Sequence, residues 1–222
     1  ANMGRETYLM PMQWEPTIVK WQQVSETKWE PVRYLFPVAA PLSGKVERFF
    51  PLPFAEKPQY ISNSYVDDFT SKNLNLKWTF IRVPQNKTYS LNVNPGYLRL
   101  YPKPNTIENR KNFSLIGFRQ KESDFDYEVK MNYKPSDESV ESGIIHYQKE
   151  RNFLTSTIYK AGKKIFLEQR LKEKDKKLVS LKKVSLKKYN GSIIFKTISR
   201  KDEYTFYYSL DDGENFSYLS SL

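Results

Sequence analysis

FDYEVKMNYKP, residues Phe125 to Pro135, alternates apolar and polar side chains through Tyr127, Val129, Met131 and Tyr133. That period of two is the signature of an antiparallel strand with one face buried and the other wet. Working upstream, NFSLIGFRQ (Asn112 to Gln120) reads as a strand, and LKWTFIRV (Leu76 to Val83) and YLRLYP (Tyr97 to Pro102) flank a loop containing Asn94, Pro95 and Gly96. Downstream, SGIIHYQK (Ser142 to Lys149) and NFLTSTIYKA (Asn152 to Ala161) are separated only by Glu150 and Arg151, which is hairpin spacing. KIFLEQRL and LVSLKKVSL follow, and then GSIIFKTISRKDEYTFYYSLDDGENFSYL (Gly191 to Leu219). In that last stretch Lys201, Asp202 and Glu203 make one turn, and DDGENF makes another, with Gly213 where a positive φ is tolerated. About ten strands and no helical period predict an all-β chain folded as a two-sheet antiparallel β-sandwich.

Composition narrows the functional classes. Aromatic residues make up 15% of the 222 and hydrophobic residues 39%, which is enough bulky apolar material to exclude a wholly disordered chain. A net charge of +11 raises polyanion binding as an alternative. Much of the excess lies between Lys160 and Lys188, where Glu168, Glu173 and Asp175 interrupt the lysines, so a solvated hairpin edge is the favoured reading. Neither a nucleic acid nor a membrane is an expected partner: acids interrupt the basic run, and no stretch approaches the roughly 18 apolar residues of a bilayer span. The absence of cysteine excludes disulfides, thiolate metal sites and cysteine nucleophiles within the chain. His146 is the single histidine, so no histidine metal cluster or catalytic triad can be built, and a satisfied or half-exposed strand histidine is expected. Sequons at Asn86, Asn112, Asn190 and Asn215 read as chance in an Asn-, Ser- and Thr-rich sequence.

The front of the chain reads differently. TYLMPMQW and TIVKWQQV, separated by Glu15 and Pro16, form two short extended pieces of an arm that needs a partner. From Trp29 to Pro58, prolines at 31, 37, 41, 51, 53 and 58 together with Gly44 disfavour helices and central strands. That stretch is expected to be a linker lying across its neighbours, since Phe36, Phe49, Phe50 and Phe54 are too apolar for a free tether. The expected organisation is therefore an arm over 1–28, a Pro-rich linker over 29–58 and a sandwich over 59–222.

NMGRETYLMPMQW, Asn2 to Trp14, resembles the closing segment of a family 43 glycoside hydrolase catalytic domain. YVDDFTSKNLNLKWTFIRVP, LIGFRQKESDFDYEVKMNYKP, SGIIHYQKERNFL and YTFYYSLDDGENFSYL follow in the order of the concanavalin A-like sandwich appended to many β-xylosidases and α-L-arabinofuranosidases of that family, so the similarity covers nearly the whole chain. The resemblance implies a concanavalin A-like jelly roll preceded by an extended arm, the terminal strands of a five-bladed β-propeller. It implies a polypeptide acting on xylo-oligosaccharides or arabinose-substituted xylan, that is, plant-polysaccharide-derived oligosaccharides, with the upstream propeller as the sandwich's partner. In the family the propeller performs inverting hydrolysis with two Asp and one Glu, a chemistry that separates the carboxyl groups by roughly 6.5–9.5 Å to admit water. None of the three maps onto this chain, so no catalytic residue is expected here and the chain alone should be silent. Arg5, in the G-R-E-T motif, is expected either to grip sugar hydroxyls or to pin the last propeller strand through backbone carbonyls. The family's final aromatic-bearing strand has no counterpart before Leu222, so the sandwich is expected either to lack its last strands or to receive them from another polypeptide, and the natural N-terminus is expected to lie upstream of Ala1. An extracellular or periplasmic location is favoured.

Other candidates have a plainer alternative beside the functional one. Asp67 and Asp68 are either ligands of a structural Ca²⁺ or the turn that opens a strand, with the turn favoured; no cofactor is required. Trp78, Tyr97, Tyr101, Tyr147 and Tyr159 could stack on sugars, although Trp78 sits in an alternating strand and reads as a packing anchor. Arg119 and Gln120 correspond to an Arg-Gln pair whose expected task is hydrogen bonding within the fold. An autonomous carbohydrate-binding module using a concave sheet face is the alternative function.

Overall fold

Strand β1 (Met12–Ser25) turns back at Glu26 and Thr27 into β2 (Lys28–Ala39), and the two pair antiparallel from Met12 opposite Ala39 to Ser25 opposite Lys28. The backbone N–H of Ala40 donates to the Pro11 carbonyl at 2.8 Å and closes the open end. This hairpin corrects two expectations. Glu15 and Pro16 do not divide the arm, and Trp29 to Ala39, expected as linker, is strand. In a two-stranded ladder only alternate N–H groups face the partner, so Pro16, Pro31 and Pro37 fit without disrupting the pairing, as they could not in a central strand. The computed structural model describes residues 10–47, 51, 64–84, 88–109, 111–201 and 203–222; they divide into two units, the hairpin unit ending at Tyr65 and a second from Val66 to Leu222.

The second unit opens with short strands, β3 (Trp78–Phe80), β4 (Tyr89–Ser90), β5 (Arg99–Leu100) and β6 (Ile116–Phe118), which pair as β3 with β6 and β4 with β5. Longer strands follow: β7 (Phe125–Asn132), β8 (Ser142–Lys149), β9 (Asn152–Ala161), β10 (Lys164–Lys172), β11 (Val179–Ser185), β12 (Ser192–Arg200), β13 (Glu203–Ser209) and β14 (Ser217–Ser221). They build two antiparallel four-stranded sheets with orders β11-β10-β9-β8 and β14-β13-β12-β7. Leu154, Ile158 and Leu167 of the first sheet and Ile193, Phe195, Phe206 and Leu219 of the second share one core with Leu186. This is the antiparallel two-sheet sandwich that the alternation predicts.

β7 shows how the pattern sorts. Phe125, Tyr127, Val129 and Met131 are half-buried, whereas Asp126, Glu128, Lys130 and Asn132 are exposed. The exposed row is zipped by ion pairs, Arg200 to Asp126 at 2.6 Å, Lys196 to Glu128 at 2.7 Å and Lys130 to Asp212 at 2.5 Å. Inside, a buried amide crosses between the sheets. Gln169 of β10 is fully buried; its Nε2 donates to Ser156 Oγ at 3.3 Å and its Oε1 accepts from Ser220 Oγ of β14. A buried amide with partners on both sides fixes the relative register of the sheets, because any slip would leave it unpaired.

Candidate functional site

The hairpin unit carries the most unusual surface in the protein. Side chains directly opposite in a ladder share a face, so Trp14 with Pro37 and Pro16 with Leu35 lie on one side, and Glu15 with Phe36 and Thr17 with Tyr34 on the other. Trp14 is 62% and Leu35 64% exposed, while on the opposite face Tyr34 is 57% and Phe36 45% exposed. Trp21 and Trp29 continue the exposed apolar surface. A lone two-stranded hairpin is marginal in water, and contiguous exposed aromatic surface marks an interaction site. Both faces of this one call for a cover.

Arg5, the sequence's candidate for sugar binding, lies outside the described residues, as do Glu6 and Asn86. Asp67 and Asp68 are placed, and both carboxylates accept hydrogen bonds from nearby residues. Asp67 Oδ1 accepts from the backbone N–H of Phe69 at 3.0 Å, and its Oδ2 accepts from Trp78 Nε1 at 2.7 Å. Asp68 Oδ1 accepts from both the backbone N–H and the hydroxyl of Thr70, at 3.1 and 2.8 Å, and the Thr70 hydroxyl is the leading cause that holds the Asp68 carboxyl below the usual range. No group of three or more acidic, histidine or cysteine side chains suited to a metal occurs among the described residues. Calcium takes six to eight oxygen ligands, and the described residues bring no third acidic side chain to this pair. The two carboxylates fit a turn that anchors an indole.

Trp78 is correspondingly a packing anchor, its ring centroid 5.6 Å from Phe69 and 5.8 Å from Phe118. Replacing Asp67 by alanine strands the half-buried indole N–H and removes a charge-assisted bond, an expected loss of about 1–2 kcal/mol, or roughly 4 °C in Tm, readable by thermal unfolding. Asp67→Asn keeps an acceptor and is expected to lose less.

The remaining candidates fall inside the fold. Gln120 Oε1 accepts from the Tyr204 hydroxyl at 3.3 Å and its Nε2 donates to the Glu122 carbonyl at 2.8 Å, the in-fold bonding expected of it. His146 is half-buried and meets Phe206 and Tyr204 edge to face, at centroid distances of 5.3 and 6.1 Å; burial pushes its pKa down to about 4. The lysine-rich segment supplies the edge strand β11, which is exposed along most of its length. Its charges are interleaved with acids, as in the Lys172–Glu108 and Lys176–Glu173 pairs at 3.2 and 2.7 Å, in keeping with a solvated edge.

One cluster escaped the sequence reading. On the sheet face of β8 to β11 that points away from the core, Arg170 Nη2 donates to Glu141 Oε2 and, at 2.8 Å, to Thr157 Oγ1; Thr157 Oγ1 in turn donates to Glu141 Oε2 at 2.8 Å. Glu141 and Arg170 are 29 positions apart, and no local motif joins them.

With the fold in hand, the comparisons are specific. Residues 66–222 match the family described as beta xylosidase C-terminal concanavalin A-like domain, beginning seven residues after the sandwich boundary expected at 59. Two curated relatives are 28% identical: the non-reducing end α-L-arabinofuranosidase BoGH43B of Bacteroides ovatus, over 68% of this chain and 25% of its own, and a xylosidase/arabinosidase of Butyrivibrio fibrisolvens, over 74% and 29%. The chain thus spans about a quarter of the length of these relatives. Among solved structures, the Bacteroides ovatus xyloglucan PUL GH43B aligns with TM-score 0.72 and 25% identity over 87% of this chain and 38% of that one. BlXynB from Bacillus licheniformis shares the fold at TM-score 0.69 and 23% identity, over 87% and 37%. On the family match, which takes in both four-stranded sheets and their common core, the chain belongs to the C-terminal concanavalin A-like domains of family 43 glycoside hydrolases.

Proposed function

We propose that this chain is the accessory C-terminal portion of an enzyme that cleaves xylo-oligosaccharides or arabinose-substituted xylan. In this reading the hairpin belongs to the last blade of an upstream β-propeller, and the sandwich buttresses that propeller and shapes the rim of its active site. The observation that carries it is the hairpin, whose two faces both present large apolar side chains. Propeller blades stack on neighbours around a central channel, so an inner blade surface is covered on both sides, whereas a strand pair at the surface of a sandwich needs one apolar face only. The names of the relatives, an arabinofuranosidase and a xylosidase/arabinosidase, support the substrate class. Arg5 belongs to the same proposal as a sugar-binding residue, since a planar guanidinium offers several donors to adjacent hydroxyls.

The test is reconstitution. The 222-residue chain is expected to leave aryl β-xyloside and aryl α-L-arabinofuranoside untouched, and the same chain joined to its upstream propeller is expected to hydrolyse one or both. In the joined protein Arg5→Ala is expected to raise KM. Robust turnover by the chain alone overturns the accessory role.

A further inference from the structure

Where the ladder between β7 and β12 runs out, the surface opens into a solvent-facing cleft of about 480 Å³ lined by Asn132, Tyr133, Lys134, Asn190, Gly191 and Ser192. Ser192 stands opposite Asn132, and the Tyr133 N–H donates to the Gly191 carbonyl at 2.8 Å, which carries the pairing one residue further. The Tyr189 hydroxyl donates to the Tyr133 carbonyl at 2.5 Å. The backbone under the cleft is thereby tied on both strands, and the side chains of Asn132, Lys134 and Asn190 are exposed.

Two of these side chains are set in place. Asn190 Oδ1 accepts from the Ser192 backbone N–H at 2.9 Å, so the carbonyl end of its amide is held in the turn and the NH₂ end is left to donate. Lys134 lays its stem along Gly191, where a Cβ would come within 2.7 Å of both its Cγ and its Cε. Any larger residue at 191 would push the lysine off this path, a second reason for glycine beside its φ of +107°. Within the described residues no hydrogen bond or ion pair engages the Lys134 ammonium, the Asn190 NH₂ group, the Asn132 side chain or the Ser192 hydroxyl.

The chemistry of the lining is one-sided. It offers one ammonium, two amides and a hydroxyl, and no carboxylate. Elsewhere on the outward face of this sheet Arg200, Lys196 and Lys130 each meet an acid at 2.5–2.7 Å, whereas Lys134 has none among the described residues. The carboxylates that follow it in the chain are turned to other donors. Asp137 Oδ1 accepts from the Ser139 N–H and hydroxyl at 2.7 and 2.8 Å, and Glu138 Oε1 accepts from the Gly162 N–H at 2.7 Å. A carboxylate placed in the cleft would take charge-assisted bonds from the Lys134 ammonium and the Asn190 NH₂ group. Asn132 and Ser192 both donate and accept, which suits the hydroxyls of a sugar ring that carries such a carboxylate.

We propose that this cleft is a subsite for an acidic sugar, a uronic acid residue borne by an oligosaccharide, with Lys134 and Asn190 holding the carboxylate and Asn132 and Ser192 the ring hydroxyls. That the acid is a branch on a xylan-type chain rests on the function proposed above; the site itself rests on the geometry. Isothermal titration of the full chain at low ionic strength, with a glucuronic acid-substituted xylo-oligosaccharide and with its carboxyl-reduced counterpart, tests it. The acidic ligand is expected to bind in the millimolar to submillimolar range, and the reduced one, which keeps every ring and loses the charge, about fivefold more weakly or worse. Lys134→Met keeps the stem on Gly191 and is expected to remove that preference. Asn190→Asp keeps the acceptor for the Ser192 N–H but sets a like charge against the ligand, with the same loss expected. Lys182→Met takes one charge from the exposed strand β11 and is expected to change nothing. Thermal unfolding identifies any variant that fails to fold, and Lys134→Met against Lys182→Met then carries the test. No binding at millimolar ligand, equal binding of the reduced ligand, or equal weakening by Lys134→Met and Lys182→Met overturns the subsite; the last would assign the binding to the diffuse attraction of a chain of net charge +11. If the joined enzyme is active while the chain shows no preference for the acid, only the subsite falls; if the preference is intact and the joined enzyme is inactive, only the accessory role falls.

Discussion

Gly143→Ala is expected to cost about 3 kcal/mol or more, enough to remove much of the stability of an ordinary domain, with loss of the cooperative urea transition. A Cβ at this position would press into the Ser156 carbonyl oxygen and stand 2.7 Å from the Thr157 Cα. Both obstacles are backbone of the central strand β9, which cannot rotate aside as a side chain can. Strand β8 would have to move outward, lengthening the bonds around the Gly143–Thr157 and Ile144–Ser156 pairs and lifting His146 and Ile144 from the inner face. Gly117→Ala is the matched control. There a Cβ meets nothing closer than the Thr79 carbonyl at 3.9 Å, and near wild-type stability is expected. A Gly143→Ala midpoint matching wild type would mean that β8 sits farther from β9 than its pairing implies.

His146→Leu is expected to abolish an acid-sensitive component of stability. In the unfolded chain His146 takes up a proton near pH 6.5, whereas in the fold burial among Phe206 and Tyr204 holds its pKa down to about 4. The native state therefore binds fewer protons between these values. The contribution is complete above pH 6.5 and drains away as pH falls towards 4, by at most about 3 kcal/mol for one proton over that interval. Carboxylates act in a lower window. Asp211, held down to about 2 chiefly by the Ser209 hydroxyl, contributes stability that is lost only as pH falls below the ordinary carboxylate range. Urea unfolding of wild type and His146→Leu at pH 7.5 and pH 4.5 separates the two. Wild type is expected to lose stability between these pH values, and the variant to lose markedly less. Equal losses would assign the acid response to carboxylates.

Much of the sandwich was legible because strand structure is a local, periodic property. The alternation from Tyr127 to Tyr133, the two-residue turn at Glu150 and Arg151, and Gly213, which does adopt φ +94°, each belong to a few consecutive residues. The prolines of the front segment misled for a definable reason. Proline reports only that one N–H is missing, and whether that matters depends on how many neighbours a strand has. In β2 the neighbour is β1 alone among the described strands, so Pro31 and Pro37 are accommodated.

The candidate sites divide along the same line. The sequence by itself determined the strand pattern, the absence of cysteine and of histidine clusters, and the ordered pieces that led to the family. It showed Asp67 and Asp68 as a pair of carboxylates but could not say whether their oxygens were free. Only the tertiary structure decided that Asp67 holds Trp78, 11 residues away, that His146 lies against aromatic rings of the opposite sheet, and that Glu141, Thr157, Glu168 and Arg170 meet on one face. The physical reason is that side-chain alternation is written into each strand's backbone stereochemistry, whereas a partner across a ladder is chosen by register, and register is set by the packing of the whole core.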